Sequence, residues 1–150
     1  MIQINIAING PTVSGKTTVG KFIAEKLQYQ FINTRIFYRY LGYLSYQQLN
    51  NTSVYNILEI FNNNLKLNYS FNNITKIINN LNEEDYYLIG RQGSKLSENQ
   101  DMRQLINQHI RQITNGKGFV VIGRDVIFNI LPDAEVKIVL FANLDTRVLR

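Results

Sequence analysis

The sequence predicts an α/β fold: a parallel sheet flanked by helices, with a small helical insert. Two continuous apolar runs, "FVVI" at 119–122 and "VKIVLF" at 136–141, have the composition of central strands buried on both faces, the habit of parallel sheets. Strand-like and helix-like stretches also alternate along the chain, and no internal repeat interrupts them.

Taken in order, residues 2–8 are rich in β-branched side chains and are bounded by Asn9-Gly10-Pro11, which predicts a buried strand. Val19, Phe22, Ile23 and Leu27 recur at helical spacing and predict a helix over 16–27. "FIN" at 31–33 fits a short second strand. Phe37, Leu41 and Leu44 share one face of a helix over about 36–48, and Val54, Ile57, Leu58 and Phe61 do so over about 54–62. Around Asn72-Asn73, "KLNYSF" and "TKII" suggest a hairpin. Helical spacing returns at Met102, Leu105, Ile106 and Ile110, and "ANLDTRVLR" starts a last helix.

At 150 residues one domain over 1–150 is expected, with a helical region at about 40–115. Composition narrows the function classes. With 45% hydrophobic and 18% charged residues the chain reads as soluble and globular. No apolar run approaches the roughly 20 residues that span a bilayer, and the N-terminus has no secretory leader pattern. The absence of cysteine excludes disulfides, thiolate metal sites and a cysteine nucleophile. The expectation is a cytoplasmic protein, a monomer, without membrane contact. A net charge of +5 suits an anionic partner. No basic cluster interleaved with aromatics stands out, so nucleic acid is not the expected partner.

Gly10-Pro11-Thr12-Val13-Ser14-Gly15-Lys16-Thr17 fits G-x-x-x-x-G-K-[ST] between a predicted strand and a predicted helix. Glycines let the backbone turn so that successive N–H groups point at phosphate oxygens, and the following helix adds its positive end. On this reading Gly10 to Thr18 cradle ATP, Lys16 reaches the β- and γ-phosphates, and the Thr17 hydroxyl holds Mg²⁺. No guanine-reading N-K-x-D accompanies the loop, and 150 residues are too few for a motor module, which leaves small kinases. Such an enzyme needs further groups to hold an anionic acceptor in line. Arginines in "NTRIFYR" at 33–39, "SKLSENQDMR" at 94–103 and "GRDVIFNILPDAEVKIVL" at 123–140 could provide them.

Within those stretches the sequence resembles the bacterial cytidylate kinases, a group of P-loop nucleoside monophosphate kinases, from about residue 3 to the end. Gly123-Arg124-Asp125, six further residues, Pro132-Asp133-Ala134 and Val136-Lys137-Ile138 resemble that family's strand–loop–strand signature. Tyr38-Arg39 matches the end of D-S-G-x-x-Y-R, and Ser94, Leu96, Ser97, Met102 and Arg103 meet a serine-to-arginine pattern of the family. The resemblance implies transfer of the ATP γ-phosphate to CMP or dCMP, with Mg²⁺. It implies that Ser94, Arg103 and Asp125 face the cytosine. Arg39 and Arg124 would hold the acceptor phosphate, with Thr34 and Tyr38 nearby and Lys16 and Arg124 acting in catalysis. Cytosine's N4 donor and O2/N3 acceptors are groups that an Asp, an Arg and a Ser satisfy together.

Plainer roles stay open beside these: Arg124 paired with Asp125 or another surface acid, Arg103 a solvated charge, Ser94 a helix N-cap, Asp125 near the metal through water. Asn33-Thr34-Arg35 stands where the family has Asp-Ser-Gly, and Ile127-Phe128 where it commonly has Gly-Thr, which would narrow the acceptor pocket. The chain stops at Arg147-Val148-Leu149-Arg150, where the resemblance places the start of an arginine-bearing lid, so lid and C-terminal elements are expected to be absent. Two alternatives follow: a truncated member that binds nucleotide without turnover, or a kinase for another small acceptor.

Overall fold

The computed structural model describes residues 2–47, 54–66 and 71–149, and the chain divides into two compact units. One comprises residues 1–34 and 110–150, the other residues 35–109.

The first unit is built on four parallel strands: β1 (Asn5–Asn9), β2 (Gln30–Asn33), β3 (Phe119–Gly123) and β4 (Val136–Val139), in the order β2-β3-β1-β4. β1 and β3 lie in the middle and every residue of both is buried. Ile6, Ile8, Val120 and Ile122 form the core with Ala24 of α1 (Lys16–Leu27), and Ile23, Phe31 and Ile138 pack against it. Helix α1 follows the predicted bounds, but its inner face is Gly20, Ile23 and Ala24. Phe22 is 60% exposed, with the Lys26 ammonium 5.5 Å over its ring. β4 also departs from expectation. It pairs only with β1 among the described residues, and Val139 and Phe141 are exposed. An apolar run reports β-propensity; whether both faces are covered depends on elements distant in sequence.

Two asparagines tie this unit together. The Asn5 side-chain amide donates to the Thr114 carbonyl (2.8 Å) and its oxygen accepts from the Phe119 N–H (3.3 Å). The Asn9 oxygen accepts from the N–H groups of Val126 (2.8 Å) and Ile127 (3.2 Å). Those residues open a π-helical turn, Val126–Ile130, whose carbonyl ends at Asn129 and Ile130 accept from the Arg111 guanidinium.

The second unit is helical: α2 (Arg35–Gln47), α3 (Val54–Lys66), α4 (Phe71–Asn79), α5 (Glu83–Leu96) and most of α6 (Gln100–Thr114). Phe37, Leu41, Leu44, Ile57, Phe61, Met102 and Ile106 are all buried, as their spacing predicts. The expected last residue of α2, 48, lies outside the described residues. The expected hairpin is replaced by α4; of its first arm, 67–70 also lie outside them. Ile74 and Ile78 are buried one turn apart, and the Thr75 hydroxyl donates to the Phe71 carbonyl (2.7 Å). Helical spacing of the apolar residues thus outweighs the turn preference of Asn72-Asn73.

Helices α2 and α5 meet backbone to backbone. A Cβ built on Gly42 would lie 2.2 Å from the Ile89 carbonyl oxygen, and one on Gly93 would lie 2.3 Å from that of Tyr38. Asn82 caps α5 by accepting from the Asp85 N–H (2.8 Å), and Glu83, Glu84 and Asp85 fill the first turn. Acidic groups there complement the helix dipole. A short α7 (Leu144–Val148) closes the described chain. None of the described helices is long and apolar enough to cross a membrane.

Candidate active site

Because β1, β2 and β3 run parallel and in register, their carboxyl ends lie together, the place where open α/β sheets bind ligands. Asn9 aligns with Gly123 and Asn33 with Ile122. The residues just beyond are the phosphate loop, Thr34 and the Arg124-Asp125 pair. The first unit brings these three groups to one edge.

The loop has the geometry its sequence calls for. Val13 (φ 61°) and Gly15 (φ 93°) are left-handed, a backbone conformation found in anion-binding loop concavities. Gly15 is the N-cap of α1 and supplies no side chain to compete for that space. At Gly10 a Cβ would lie 2.6 Å from the Leu140 carbonyl oxygen and 2.8 Å from Ser14 Oγ, so no larger residue fits. Lys16 Nζ folds back to donate to the Pro11 carbonyl (2.5 Å) and reaches Ser14 Oγ (3.5 Å). Pro11 is half-buried, Ser14 buried, and Thr12, Thr17 and Thr18 exposed.

Arg124 emerges from β3 exposed, and its Nη2 donates to Thr12 Oγ1 of the loop. Asp125 accepts from the Asn129 side-chain amide and is half-buried. Thr34 is buried, its N–H bonded to the Ile122 carbonyl (3.1 Å) and its hydroxyl against Gly123. Of the residues standing where the family commonly has Gly-Thr, Ile127 is buried while Phe128 is 71% exposed.

The other predicted residues belong to the second unit. Tyr38 and Arg39 lie on α2, Ser94 in the last turn of α5, and Arg103 on α6. Ser94 and Arg103 are exposed and Tyr38 is half-buried. Ser94 is not a helix N-cap: its carbonyl accepts from the Ser97 hydroxyl (2.6 Å) inside α5. Asn99 takes the capping part for α6, accepting from the Met102 N–H (3.1 Å). Arg39 is buried with its guanidinium against Tyr86, whose carbonyl accepts from Nη1 (3.0 Å). Burial pushes this guanidinium below its ordinary value; Tyr86 acts the other way and Arg35 adds to the lowering. Tyr86 escaped the sequence reading, although Asn82 with Asp85 three residues on is a helix-start signal that would have placed it on α5.

Backbone donors, a lysine and an arginine around one loop can neutralise a polyphosphate. For a divalent metal the described residues offer no group of three His, Cys, Asp or Glu. The exposed Thr17 hydroxyl at the start of α1 suits Mg²⁺, which keeps waters and substrate phosphates as its main ligands.

Comparison with known proteins follows the same lines. A family model described as cytidylate kinase matches residues 6–150. The cytidylate kinase of Aquifex aeolicus is 32% identical over 149 residues, covering 98% of this chain and 67% of the relative. That of Mycoplasmopsis pulmonis is 39% identical over 155 residues, 99% and 67%. That of Streptococcus pyogenes serotype M6 is 33% identical over 156 residues, 100% and 69%. The chain therefore spans about two thirds of the length of these relatives.

Proposed function

This chain belongs to the cytidylate kinase family, and on that premise we propose that it transfers the γ-phosphate of ATP to CMP or dCMP, giving CDP or dCDP. The observation that carries the reading is the phosphate loop with Arg124 bonded to Thr12 at its rim. An oxygen of the acceptor phosphate attacks the γ-phosphorus as the bond to the β–γ bridging oxygen breaks, and ADP leaves with that electron pair. The chain's task is position and charge, with no covalent intermediate. Gly10 to Thr18 hold the ATP phosphates by backbone N–H groups, and Lys16 and Arg124 offset charge on the transferring group. The Thr17 hydroxyl, exposed at the start of α1, would hold the Mg²⁺ that accompanies ATP, and the ion would supply positive charge to offset that of the phosphates.

The helical region at about 40–115 is the acceptor-binding region on this reading. Arg39 and Arg124 are assigned to the acceptor phosphate, and Thr34 and Tyr38 to acceptor binding. Ser94, Arg103 and Asp125 read cytosine, and a site matched to its donor and acceptors rejects uracil by leaving polar groups unpaired. The reading includes a cytoplasmic monomer without nucleic-acid or membrane partners, which light scattering of the purified chain tests for oligomeric state.

The test of function is ATP-dependent phosphorylation of CMP, dCMP, UMP and AMP, with Lys16→Ala as control. Turnover of CMP or dCMP that disappears in the variant is expected. A folded sample that phosphorylates none of the four refutes the proposal.

A further inference from the structure

Arginine has four side-chain torsions, so a guanidinium that must meet a phosphate loses rotamer freedom unless its conformation is set beforehand. In the second unit that of Arg39 is already set. Its guanidinium carbon lies 3.8 Å from the centroid of the Tyr86 ring, and Nη1 donates to the Tyr86 carbonyl at 3.0 Å. Gly90 is one helical turn beyond Tyr86, on the same face of α5. A Cβ there would lie 2.7 Å from Nη1 and 3.3 Å from Cζ, so the bare Cα of Gly90 makes the room that the guanidinium fills.

Two further features separate this slot from ordinary packing. Arg39 is 8% exposed, yet its Nε has no hydrogen-bond partner among the described residues. Its hydrogen-bond partner among the described residues is the neutral Tyr86 carbonyl, so no carboxylate there offsets its charge. Buried arginines that serve only structure are paired and hydrogen-bonded. This one keeps an unsatisfied donor and an uncompensated charge, the attributes of a group that waits for an anion.

We propose that Tyr86 and Gly90 are positioning residues for acceptor binding, forming a slot on α5 that holds the Arg39 guanidinium in its phosphate-binding conformation. This rests on the assignment of Arg39 to the acceptor phosphate. The test is calorimetric binding of CMP, of cytidine, which lacks the phosphate, and of ATP to the full chain. The proteins are wild type, Arg39→Ala, Tyr86→Ala, Tyr86→Phe and Gly90→Ala. Tyr86→Ala and Gly90→Ala are expected to weaken CMP by about 3- to 10-fold, the scale of re-immobilising one long side chain. Cytidine and ATP affinities stay as in wild type, and Tyr86→Phe, which keeps the ring, restores CMP binding. Unchanged or tighter CMP binding by Tyr86→Ala overturns the proposal, and so does equal weakening of CMP and cytidine. If Arg39→Ala itself leaves CMP affinity intact, the assignment of Arg39 fails and the slot has no role in binding. Should Gly90→Ala not fold, the two Tyr86 variants decide alone.

Discussion

Replacing Asn9 with alanine removes the acceptor that two backbone N–H groups share. The residue is 6% exposed, and its oxygen lies 2.8 Å from the Val126 nitrogen and 3.2 Å from that of Ile127. Both of those residues are buried, so water does not readily replace the lost oxygen. A buried donor left unpaired costs about 1–3 kcal/mol. Two would cost roughly 2–6 kcal/mol, and the longer bond draws the expectation to about 3 kcal/mol. For a chain of this size that lowers the melting temperature by about 6–12 °C. The assay is thermal unfolding followed by circular dichroism, with Asn9→Asp alongside. The aspartate keeps an oxygen at the same place and loses less. Arg124 and Asp125 directly precede the turn, so on their proposed assignment to the acceptor the alanine variant should also raise the KM for CMP. An Asn9→Ala protein melting within about 2 °C of wild type would refute the reasoning, because the turn would then hold itself without the strand.

Other expectations follow from the same geometry. Gly93→Ala gains about 1 kcal/mol in helix propensity but drives a methyl to 2.3 Å from the Tyr38 carbonyl oxygen. Backbone there cannot swing aside, so urea denaturation should show a net loss of about 1–3 kcal/mol. The Glu135 carboxylate, bonded to the Lys117 ammonium (2.5 Å) and to the Asn5 N–H (2.8 Å), is held down at about 2. Its folded value is below its unfolded one, so its contribution is present above about pH 4.5 and is lost as pH falls toward 2. Glu135→Gln should flatten the melting temperature against pH over that window. His109 packs edge-on against Phe37, and burial lowers its value from the ordinary 6.5. Protonation thus favours the unfolded chain, and stability should decline as pH drops below about 6.5, less steeply in His109→Gln.

What the sequence made legible was local. The phosphate loop could be read because its glycines, lysine and threonine each answer a separate chemical demand at fixed spacing. α2, α3 and α6 could be read because each carries a one-sided apolar stripe, whereas α1 keeps its expected bounds although Phe22 and Leu27 of its expected stripe are exposed. Asn72-Asn73 misled because asparagine favours turns in isolation, while Ile74 and Ile78 needed a neighbouring surface to declare their face. The misplacement of β4 has a different origin: "VKIVLF" states a preference for extended chain, and which strands flank it is decided by residues more than a hundred positions away. The parts of Asn5 and Asn9 were hidden for the same reason. Each reads as a polar residue at a strand end, and its partners lie 109 to 118 residues along the chain. For the candidate site, types and spacing brought the residues to notice. Only the fold shows that Arg124 reaches Thr12 and that Arg39 is seated beneath a tyrosine.

The inward bend of Lys16 onto the Pro11 carbonyl has a consequence for nucleotide affinity. The loop enters binding with its cation already engaged, so ATP must exchange one partner for another. The net gain from Lys16 is the difference between a phosphate oxygen and a peptide oxygen, smaller than a count of contacts in a complex would suggest. A lysine truncation would then disturb the empty loop as well as the filled one, because the strap across its mouth is lost in both. Binding and stability measured together on the same variant would register the two halves of that exchange.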